Sequence, residues 1–129
     1  MKEIVKELKN IVKKSYSKYS GFCVSSCIEV EQKHFYGVNI ENASYPLSCC
    51  AERVAFHHAY LGCDDLKKAS RVFVYSNSEQ FPFPCGACLQ VLSEFFLPSI
   101  KVILINNREE IKELKLKELL PYPFGGENV

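Results

Sequence analysis

Apolar residues recur at helical spacing over the first sixteen positions of the chain, which predicts an amphipathic helix. Lysines occupy the opposite face of this helix, so one side is suited to a protein core and the other to water. We therefore expect the helix to pack on a sheet. The apolar face comprises Ile4, Val5, Leu8, Ile11, Val12 and Tyr16.

Two short segments rich in β-formers follow this helix. They span residues 22–30 and 34–39, and the polar residues 31–33 separate them. Short β-prone runs on either side of a polar turn are typical of an antiparallel hairpin. The hairpin should supply two neighbouring strands of the sheet.

The second half of the chain alternates between helical and strand patterns. Helices are predicted at residues 50–61, at 86–96 and within 111–120, and strands at 71–76 and 100–105. Gly62 stands at the expected C-cap of the first of these helices, and Pro84 stands just before the second. Strands that alternate with helices imply right-handed crossovers and parallel pairing. With the hairpin, the pattern predicts an α/β fold with a mixed sheet and helices on both faces.

Length and composition indicate a single compact domain spanning residues 1–129. Hydrophobic residues make up 47% of the chain, charged residues 24%, and the formal net charge is +1. These values disfavour a disordered chain and a basic domain that binds nucleic acid. The charged N-terminal segment has no uninterrupted apolar run, so we expect neither a signal peptide nor a membrane span.

Seven cysteines without a secretory signal indicate a reducing compartment, which we take to be the cytoplasm. Three of the cysteines belong to the motifs described next. The other four, Cys23, Cys27, Cys49 and Cys63, are expected to be ordinary structural thiols, because free cysteine is commonly buried and inert.

Two motifs carry the candidate chemistry: Cys50-Ala51-Glu52 and the segment from Pro84 to Cys88, which contains Cys85. Together they supply three thiolates and one adjacent carboxylate. Three protein ligands leave the fourth tetrahedral position of a zinc ion to water, and a nearby carboxylate that is not a ligand can move the protons of that water. The motifs therefore predict a catalytic zinc site.

Both motifs fall at predicted helix starts, where unpaired backbone N–H groups stabilise thiolates. Cys85 and Cys88 are three residues apart, so their side chains share one face of the first turn. A Cys-x-x-Cys pair alone could equally be a redox pair.

Zinc with three thiolates carries a charge of −1, which weakens its ability to acidify water. We therefore expect the helix ends and Arg53 to offset that charge.

The chain resembles the zinc-dependent cytidine deaminases of the small homotetrameric type. The resemblance rests on five blocks in order, and it covers nearly the whole chain. It implies a three-layer α/β/α sandwich around a mixed five-stranded sheet. It also implies hydrolysis of cytidine and 2′-deoxycytidine to the uridines plus ammonia, a step of pyrimidine salvage. The blocks are YSGFCV at 19–24, NIENASYP at 39–46, CAER at 50–53, PCGAC at 84–88 with Gln90, and LLP at 119–121 before Phe124-Gly125.

Carried over to this chain, the resemblance makes Cys50, Cys85 and Cys88 the ligands of one zinc ion per subunit. Glu52 becomes the proton shuttle, which protonates N3 of cytosine and then the leaving amino group. Arg53 would tune the site by donating hydrogen bonds to a ligand sulfur.

The same resemblance implies the contacts to a free pyrimidine nucleoside. Asn39 and Glu41 would hydrogen-bond the ribose 3′-hydroxyl, Phe22 would pack against the nucleoside, and the backbone N–H of Ala51 would read the pyrimidine. Two further aromatic residues would act across subunit boundaries of the homotetramer, near which the active sites lie. These residues are Tyr45 and Phe124.

Glu41 also carries an inference about substrate size. A carboxylate at the sugar end would repel a 5′-phosphate, and the sequence offers no basic cluster to offset it. We therefore expect a free nucleoside rather than a nucleotide, and neither nucleic acid nor a membrane as a partner.

Some residues depart from the family pattern or could be mistaken for ligands. Leu89 stands where an arginine is common, and Ser25-Ser26 stand where small Gly-Ala residues are common, so contacts at these two places are in question. His57 and His58 lie seven and eight residues beyond Cys50. That separation is about 10.5 Å or more along a helix, too far to share its metal. We expect both on the helix surface or at a subunit interface.

Three competing functions remain open from the sequence. A structural zinc module would need a fourth protein ligand, for which Cys49 is the nearest candidate. A polynucleotide deaminase would need a basic groove interleaved with aromatic residues. A blasticidin-type deaminase would share the zinc chemistry without needing the Asn39-x-Glu41 segment.

Overall fold

One mixed five-stranded sheet organises the computed structural model, which describes residues 1–128. In space the strands follow the order β2-β1-β3-β4-β5. The β3–β4 pair is parallel and the other neighbouring pairs are antiparallel. The predicted mixed sheet is therefore confirmed, including the parallel pair formed across a helical crossover. The strands are β1 (Val24–Val30), β2 (Lys33–Val38), β3 (Ala69–Ser76), β4 (Lys101–Ile105) and β5 (Ile111–Lys115).

Helices cover both faces of this sheet and complete the three layers. Helix α1 packs on one face, where Leu8 meets Phe73 and Ile103 in a separate apolar cluster. The other helices pack on the opposite face, where Phe56 and Leu92 join the larger core. No helix within residues 1–128 combines the length and the apolar character needed to cross a bilayer. The helices are α1 (Lys2–Ile11), α2 (Ala51–Gly62), α3 (Gly86–Phe95) and α4 (Leu116–Leu119).

The predicted hairpin of β1 and β2 is confirmed. The strands pair antiparallel from Ser25 opposite Val38 to Val30 opposite Lys33. Glu31 begins the tight turn between them with a positive φ of 58°. Such left-handed backbone is typical of two-residue hairpin loops, because it matches the twist of the flanking strands.

The first helix ends earlier than the apolar pattern suggests. Helix α1 stops at Ile11 and continues as a single 3-10 turn over Val12–Lys14. Tyr16 then forms an isolated bridge to Ile40 instead of extending the helix. Placing Tyr16 on the helical face was therefore wrong, because its backbone pairs with the segment that follows β2.

The final helix predicted within residues 111–120 is confirmed as a short one, but the apolar pattern did not predict the strand before it. Residues Ile111–Lys115 form strand β5, antiparallel to β4, and only Leu116–Leu119 is helical. A turn reverses the chain directly after β4, where the Asn106 side chain accepts hydrogen bonds from the backbone N–H groups of Arg108 and Glu110. The local helix propensity is overridden because the edge of β4 offers unpaired backbone groups.

Gly62 does not act as the predicted C-cap glycine. It is the last residue of α2, and the following Cys63 has an extended backbone with φ −133°. A Cβ on Gly62 would lie 2.5 Å from Cε1 of Phe35 on β2. The glycine is needed for close packing and not for a left-handed turn.

Gly37 makes a second close approach between α2 and β2. A Cβ at this position would lie 2.7 Å from the carbonyl oxygen of Ala51 and 2.9 Å from Cβ of Val54. Because backbone atoms cannot easily move aside, only glycine lets the start of α2 lie this close to the sheet. The contact fixes the place of the Cys50-Ala51-Glu52 motif relative to β2.

The Ser25-Ser26 pair fits the strand without a packing defect. Both residues are fully buried in β1. Ser25 Oγ donates to the carbonyl oxygen of Leu8 at 2.9 Å, and Ser26 Oγ donates to that of Phe73 at 2.7 Å. A buried hydroxyl with a partner costs little, so the doubt about this strand is removed.

A charged network at the far end of β1 links three strands. Arg71 donates to both carboxylate oxygens of Glu29, at 2.6 and 2.8 Å. Ser70 Oγ lies 2.8 Å from Oε1 and His34 Nε2 lies 3.0 Å from Oε2 of the same carboxylate. Arg71, with help from Ser70 and His34, lowers the pKa of Glu29 to about 2.

Replacing Glu29 should therefore destabilise the protein in a pH-dependent way. We expect Glu29→Gln to lower the free energy of unfolding by about 1–2 kcal/mol at pH 7, because a partly buried bidentate pair is lost. A carboxyl with a depressed native pKa stabilises the fold only above its unfolded pKa. The difference between wild type and variant should shrink as the pH falls from 4.5 toward about 2.

Denaturant unfolding at several pH values measures this difference. Glu79→Gln is the matched control, because Glu79 and Arg108 pair at 2.7 Å with side chains that are 69% and 64% exposed. An exposed pair contributes at most about 1 kcal/mol. A Glu29→Gln effect that equals the control, or that is unchanged at pH 3, would contradict the prediction.

Candidate metal centre and active-site pocket

Three cysteine sulfurs converge at one point beside the sheet. The Sγ atoms of Cys50, Cys85 and Cys88 all lie within 4.8 Å of one another. The Cys50–Cys85 separation is 3.9 Å and the Cys85–Cys88 separation is 3.5 Å. Among residues 1–128 this is the one group of three or more potential ligands close enough to hold a metal ion, and it includes no fourth residue.

Two helix starts bring these sulfurs together. Cys50 is the N-cap of α2, and Cys85 is the N-cap of α3. Cys88 lies in the first turn of α3, and its backbone N–H donates to Cys85 Sγ at 3.5 Å. The first N–H groups of a helix have no intrahelical acceptor, and they carry the positive end of the helix dipole. Both helix ends therefore favour ionised sulfur.

Arg53 adds a formal positive charge at the same point. Its Nη2 donates to Cys50 Sγ at 3.6 Å. The Cys88 thiol and then Arg53 lower the pKa of Cys50 to about 5. Nε of Arg53 is buried without a hydrogen-bond partner in the described part of the chain. The Arg53 guanidinium thus contacts the sulfur cluster and places a positive charge beside Cys50 Sγ.

Glu52 is a buried carboxyl next to the cluster. Its side chain is only 4% exposed. Burial raises the pKa of Glu52 to about 7, and the nearby Cys50 acts in the same direction. A carboxyl that titrates near neutrality can both accept and donate a proton during one reaction.

A pocket of about 240 Å³ opens in front of the cluster and Glu52. A larger groove of about 540 Å³ lies near the C-terminus of α2, but it contains neither the sulfur cluster nor Glu52. The smaller pocket is therefore the candidate active site. Its lining includes Cys50, Glu52 and Cys85, together with five further residues predicted to contact substrate: Phe22, Asn39, Glu41, Tyr45 and Ala51.

Arg53, Cys88 and Phe124 are the predicted site residues that do not line this pocket. Cys88 is fully buried beneath it. The side chain of Phe124 is exposed, and its backbone exchanges hydrogen bonds of 2.8 and 3.1 Å with the Gln90 amide of α3. A single copy of the chain thus brings together every predicted pocket residue except Phe124.

The segment from Asn39 to Glu41 is held between two other parts of the chain. On one side, Glu41 N–H donates to the Tyr16 carbonyl oxygen at 2.8 Å. On the other side, Ile40 and Cys49 exchange two backbone hydrogen bonds of 2.9 Å. Because Cys49 directly precedes Cys50, the polar end of the pocket is tied to the metal end through backbone hydrogen bonds.

The Asn39 side chain uses all of its hydrogen-bonding groups within the protein. Its Oδ1 accepts from Ser15 Oγ and from the Val24 N–H, the latter at 2.9 Å. Its Nδ2 donates to Ser17 Oγ at 3.2 Å and to the Phe22 carbonyl oxygen at 2.8 Å. An amide offers two donors and two acceptor positions, so Asn39 holds the loop that carries Phe22 firmly in place.

The Glu41 carboxylate is held by the same loop. Its Oε1 accepts from the backbone N–H groups of Tyr19 and Ser20, at 2.9 and 3.1 Å. Its Oε2 accepts from Ser20 Oγ. The Ser20 hydroxyl and these two N–H groups lower the pKa of Glu41. Gly21 permits the loop with a φ of 71°, which favours glycine.

Several residues of the site were not found from the sequence. Ser15, Ser17 and Ser20 position Asn39 and Glu41 as described above. Phe83 lines the pocket from the segment before Cys85. The available signals were the two serines that precede Gly21 in the YSKYSGF segment and the Phe-Pro-Phe-Pro run before Cys85. Neither could be interpreted without knowing which side chains the fold brings near them.

The remaining residues in question take no part in the sulfur cluster. Leu89 is buried in the main core beneath α3, so its apolar side chain suits its place. His57 and His58 are exposed on α2, and His58 Nδ1 lies 2.7 Å from the Tyr36 carbonyl oxygen. All seven cysteines are free, and Cys49 lines the pocket although it lies outside the sulfur cluster.

Comparison with known proteins agrees with this site. The profile of the family described as the cytidine and deoxycytidylate deaminase zinc-binding region matches residues 1–104. A cytidine deaminase of Mycoplasma genitalium is 40% identical over 122 residues, which cover 94% of this chain and 92% of that protein. A cytidine deaminase of Sporosarcina psychrophila is 35% identical over 130 residues, covering 100% of this chain and 94% of that protein.

A solved structure shows the same architecture. The crystal structure of a cytidine deaminase from Burkholderia pseudomallei superimposes with a TM-score of 0.86 at 33% sequence identity. The match covers 92% of this chain and 94% of that chain. The five-stranded sheet and the sequence relationship thus point the same way, and this chain belongs to the family that shares the zinc-binding region of cytidine and deoxycytidylate deaminases.

Proposed function

We propose that this protein is a zinc-dependent cytidine deaminase. It would hydrolyse cytidine and 2′-deoxycytidine to uridine and 2′-deoxyuridine with release of ammonia, a reaction of pyrimidine salvage. The main observation behind this proposal is that three cysteine sulfurs and a buried carboxyl, Glu52, lie together at one pocket. Membership of the deaminase family supports this assignment.

The donor set fits zinc. Three sulfur ligands suit zinc, a borderline-soft ion that binds thiolates well. They disfavour magnesium and calcium, which prefer oxygen ligands. Cys50, Cys85 and Cys88 would hold one ion per subunit. The ion, when bound, supplies Lewis-acid chemistry that lets water act as a nucleophile at neutral pH.

Glu52 would carry the protons of the reaction. Its carboxylate accepts a proton from the attacking water and passes a proton to N3 of the pyrimidine as C4 becomes tetrahedral. It then takes up the proton of the new hydroxyl group on C4 and transfers it to the amino group, so the C4 carbonyl forms as the C–N bond breaks and ammonia leaves. A pKa of about 7 suits a group that must change protonation state twice in one turnover.

Arg53 would tune the cluster without touching the substrate. A zinc ion with three thiolates has a net charge of −1, and excess negative charge opposes the ionisation of water. The hydrogen bond from Arg53 to Cys50 Sγ and the two helix ends withdraw part of that charge.

The polar end of the pocket would bind the sugar. Glu41 would accept a hydrogen bond from the ribose 3′-hydroxyl, and Asn39 would reach it by exchanging its longest bond, the one to Ser17 Oγ. Phe22 would pack against the nucleoside. The Ala51 N–H would read the base, because the first residue of a helix has a free backbone donor.

We further propose a homotetramer with active sites near the subunit interfaces. Exposed aromatic side chains support this, since such residues are commonly covered in assemblies. Tyr45 lines the pocket and is 66% exposed. Phe124, which follows α4 in the sequence, is 58% exposed. Each would act across a subunit boundary, with Phe124 closing over the neighbouring base. The seven free cysteines support a reducing compartment such as the cytoplasm.

The other candidate functions have less support. A structural zinc module would need a fourth protein ligand, and the sulfur cluster has three members within residues 1–128. A polynucleotide deaminase would need cationic groups along its groove. The described residues that line the pocket include no lysine or arginine.

The Glu52→Gln variant tests the catalytic role most simply. Glutamine keeps the shape of the side chain but cannot shuttle protons, so we expect kcat for cytidine to fall by about 10²- to 10⁴-fold. Zinc content should remain one ion per subunit, because Glu52 is not a ligand. Loss of cytidine absorbance and metal analysis measure the two quantities.

Glu94→Gln is the control for this experiment. Glu94 is exposed on α3 and takes no part in the pocket. Its variant should retain wild-type kcat and zinc content. Wild-type activity in Glu52→Gln, with zinc still bound, would overturn the proposed mechanism and favour a structural metal.

The charge of the pocket predicts that CMP is a poor substrate. Glu41 and Glu52 are the carboxyl groups among the described residues that line the pocket, and no lysine or arginine is among those residues. A 5′-phosphate near Glu41 would be repelled, so kcat/KM should be about 10- to 100-fold lower for CMP than for cytidine. In Glu41→Gln the ratio of the two values should move toward one. Equal turnover of CMP and cytidine by the wild type would refute this preference.

A further inference from the structure

Ser20 touches both polar and aromatic walls of the pocket. Its hydroxyl donates to Glu41 Oε2 and accepts from the Phe22 N–H at 3.0 Å. Its backbone N–H donates to Glu41 Oε1 at 3.1 Å. One residue therefore connects the carboxylate at the sugar end with the segment that carries Phe22.

The hydrogen bonds leave Glu41 with a defined capacity for a ligand. A carboxylate offers about four acceptor positions, two on each oxygen. Tyr19 N–H and Ser20 N–H occupy those of Oε1, and Ser20 Oγ occupies one of Oε2. Within residues 1–128 a single acceptor position thus remains, on Oε2.

The only proton of the Ser20 hydroxyl is already used within the protein. Its one proton is donated to Glu41, and it accepts the Phe22 N–H. It has no further proton to give to a ligand, so it acts through Glu41 and Phe22.

We propose that Ser20 is a positioning residue which restricts Glu41 to one sugar hydroxyl by holding the other acceptor position of Oε2. This inference rests on the proposed deaminase function and goes beyond it, because it assigns substrate discrimination to a residue whose only hydroxyl proton is given to Glu41. Removing the Ser20 hydroxyl frees the second position of Oε2 and releases the Phe22 N–H. The carboxylate then rotates more freely, and its preference for one hydroxyl weakens.

The test compares two substrates in Ser20→Ala. We expect KM for cytidine to rise about three- to tenfold, because a less firmly held Glu41 carboxylate binds the sugar hydroxyl more weakly, while kcat changes by less than about twofold. For 3′-deoxycytidine, which lacks the hydroxyl assigned to Glu41, KM should change by less than about twofold. A merely structural role would affect both substrates equally.

Two further variants of Ser20, with one control variant elsewhere, keep the comparison independent of folding. Ser20→Thr retains the hydroxyl and should bring KM for cytidine to within about twofold of wild type. Ser20→Cys keeps the side-chain size with a weaker donor and should raise KM as the alanine does. Ser99→Ala, at an exposed serine remote from the pocket, should match wild type. Zinc content and melting temperature are measured for each variant.

The outcomes separate the two proposals. A wild-type enzyme that does not deaminate cytidine overturns the function and the role of Ser20 together. If the wild type deaminates cytidine, then an unchanged KM in Ser20→Ala and Ser20→Cys, or an equal rise for cytidine and 3′-deoxycytidine, overturns the role of Ser20 alone.

Discussion

The convergence of two helix N-termini on three cysteine sulfurs is the constraint on which the site depends. Thiolates this close repel one another unless positive charge lies between or beside them. In α3 the Cys88 N–H donates to Cys85 Sγ, and α2 begins directly after Cys50, so the positive end of its dipole lies beside that sulfur. Arg53 contributes a formal charge at 3.6 Å. The sheet makes this arrangement possible, because both helices pack on the same face and their starts meet at one edge of the core. The close contact at Gly37 fixes α2 against β2 at that point.

The pocket has two chemically different ends that the backbone joins. One end holds the sulfurs and a buried carboxyl, Glu52, and the other end holds Glu41 and Asn39. Backbone hydrogen bonds between Ile40 and Cys49 connect them directly. A shift of the polar end is therefore transmitted to the residue next to Cys50. Such coupling keeps the distance between a sugar site and a reaction centre nearly constant, which orientation-dependent catalysis requires.

Much of this architecture was predictable from the sequence because its signals are local. Cysteines at helix starts and the hairpin of β1 and β2 follow from spacing, turn residues and apolar periodicity. The errors arose where distant contacts decide the local structure. Residues 111–115 form a strand because β4 offers an edge, and Gly62 is small because Phe35 lies against it. Ser20 gave no clear signal, since its role depends on Glu41, which is near it only in the folded chain.

A zinc ion held by Cys50, Cys85 and Cys88 would keep one position for a ligand that is not a protein side chain. X-ray absorption spectroscopy on the purified, zinc-loaded protein can count these ligands. We predict a shell of three sulfur atoms at about 2.3 Å and one oxygen or nitrogen atom at about 2.0 Å. A shell of four sulfur atoms would contradict the account, because a fourth thiol such as Cys49 would then close the site and leave no place for the water.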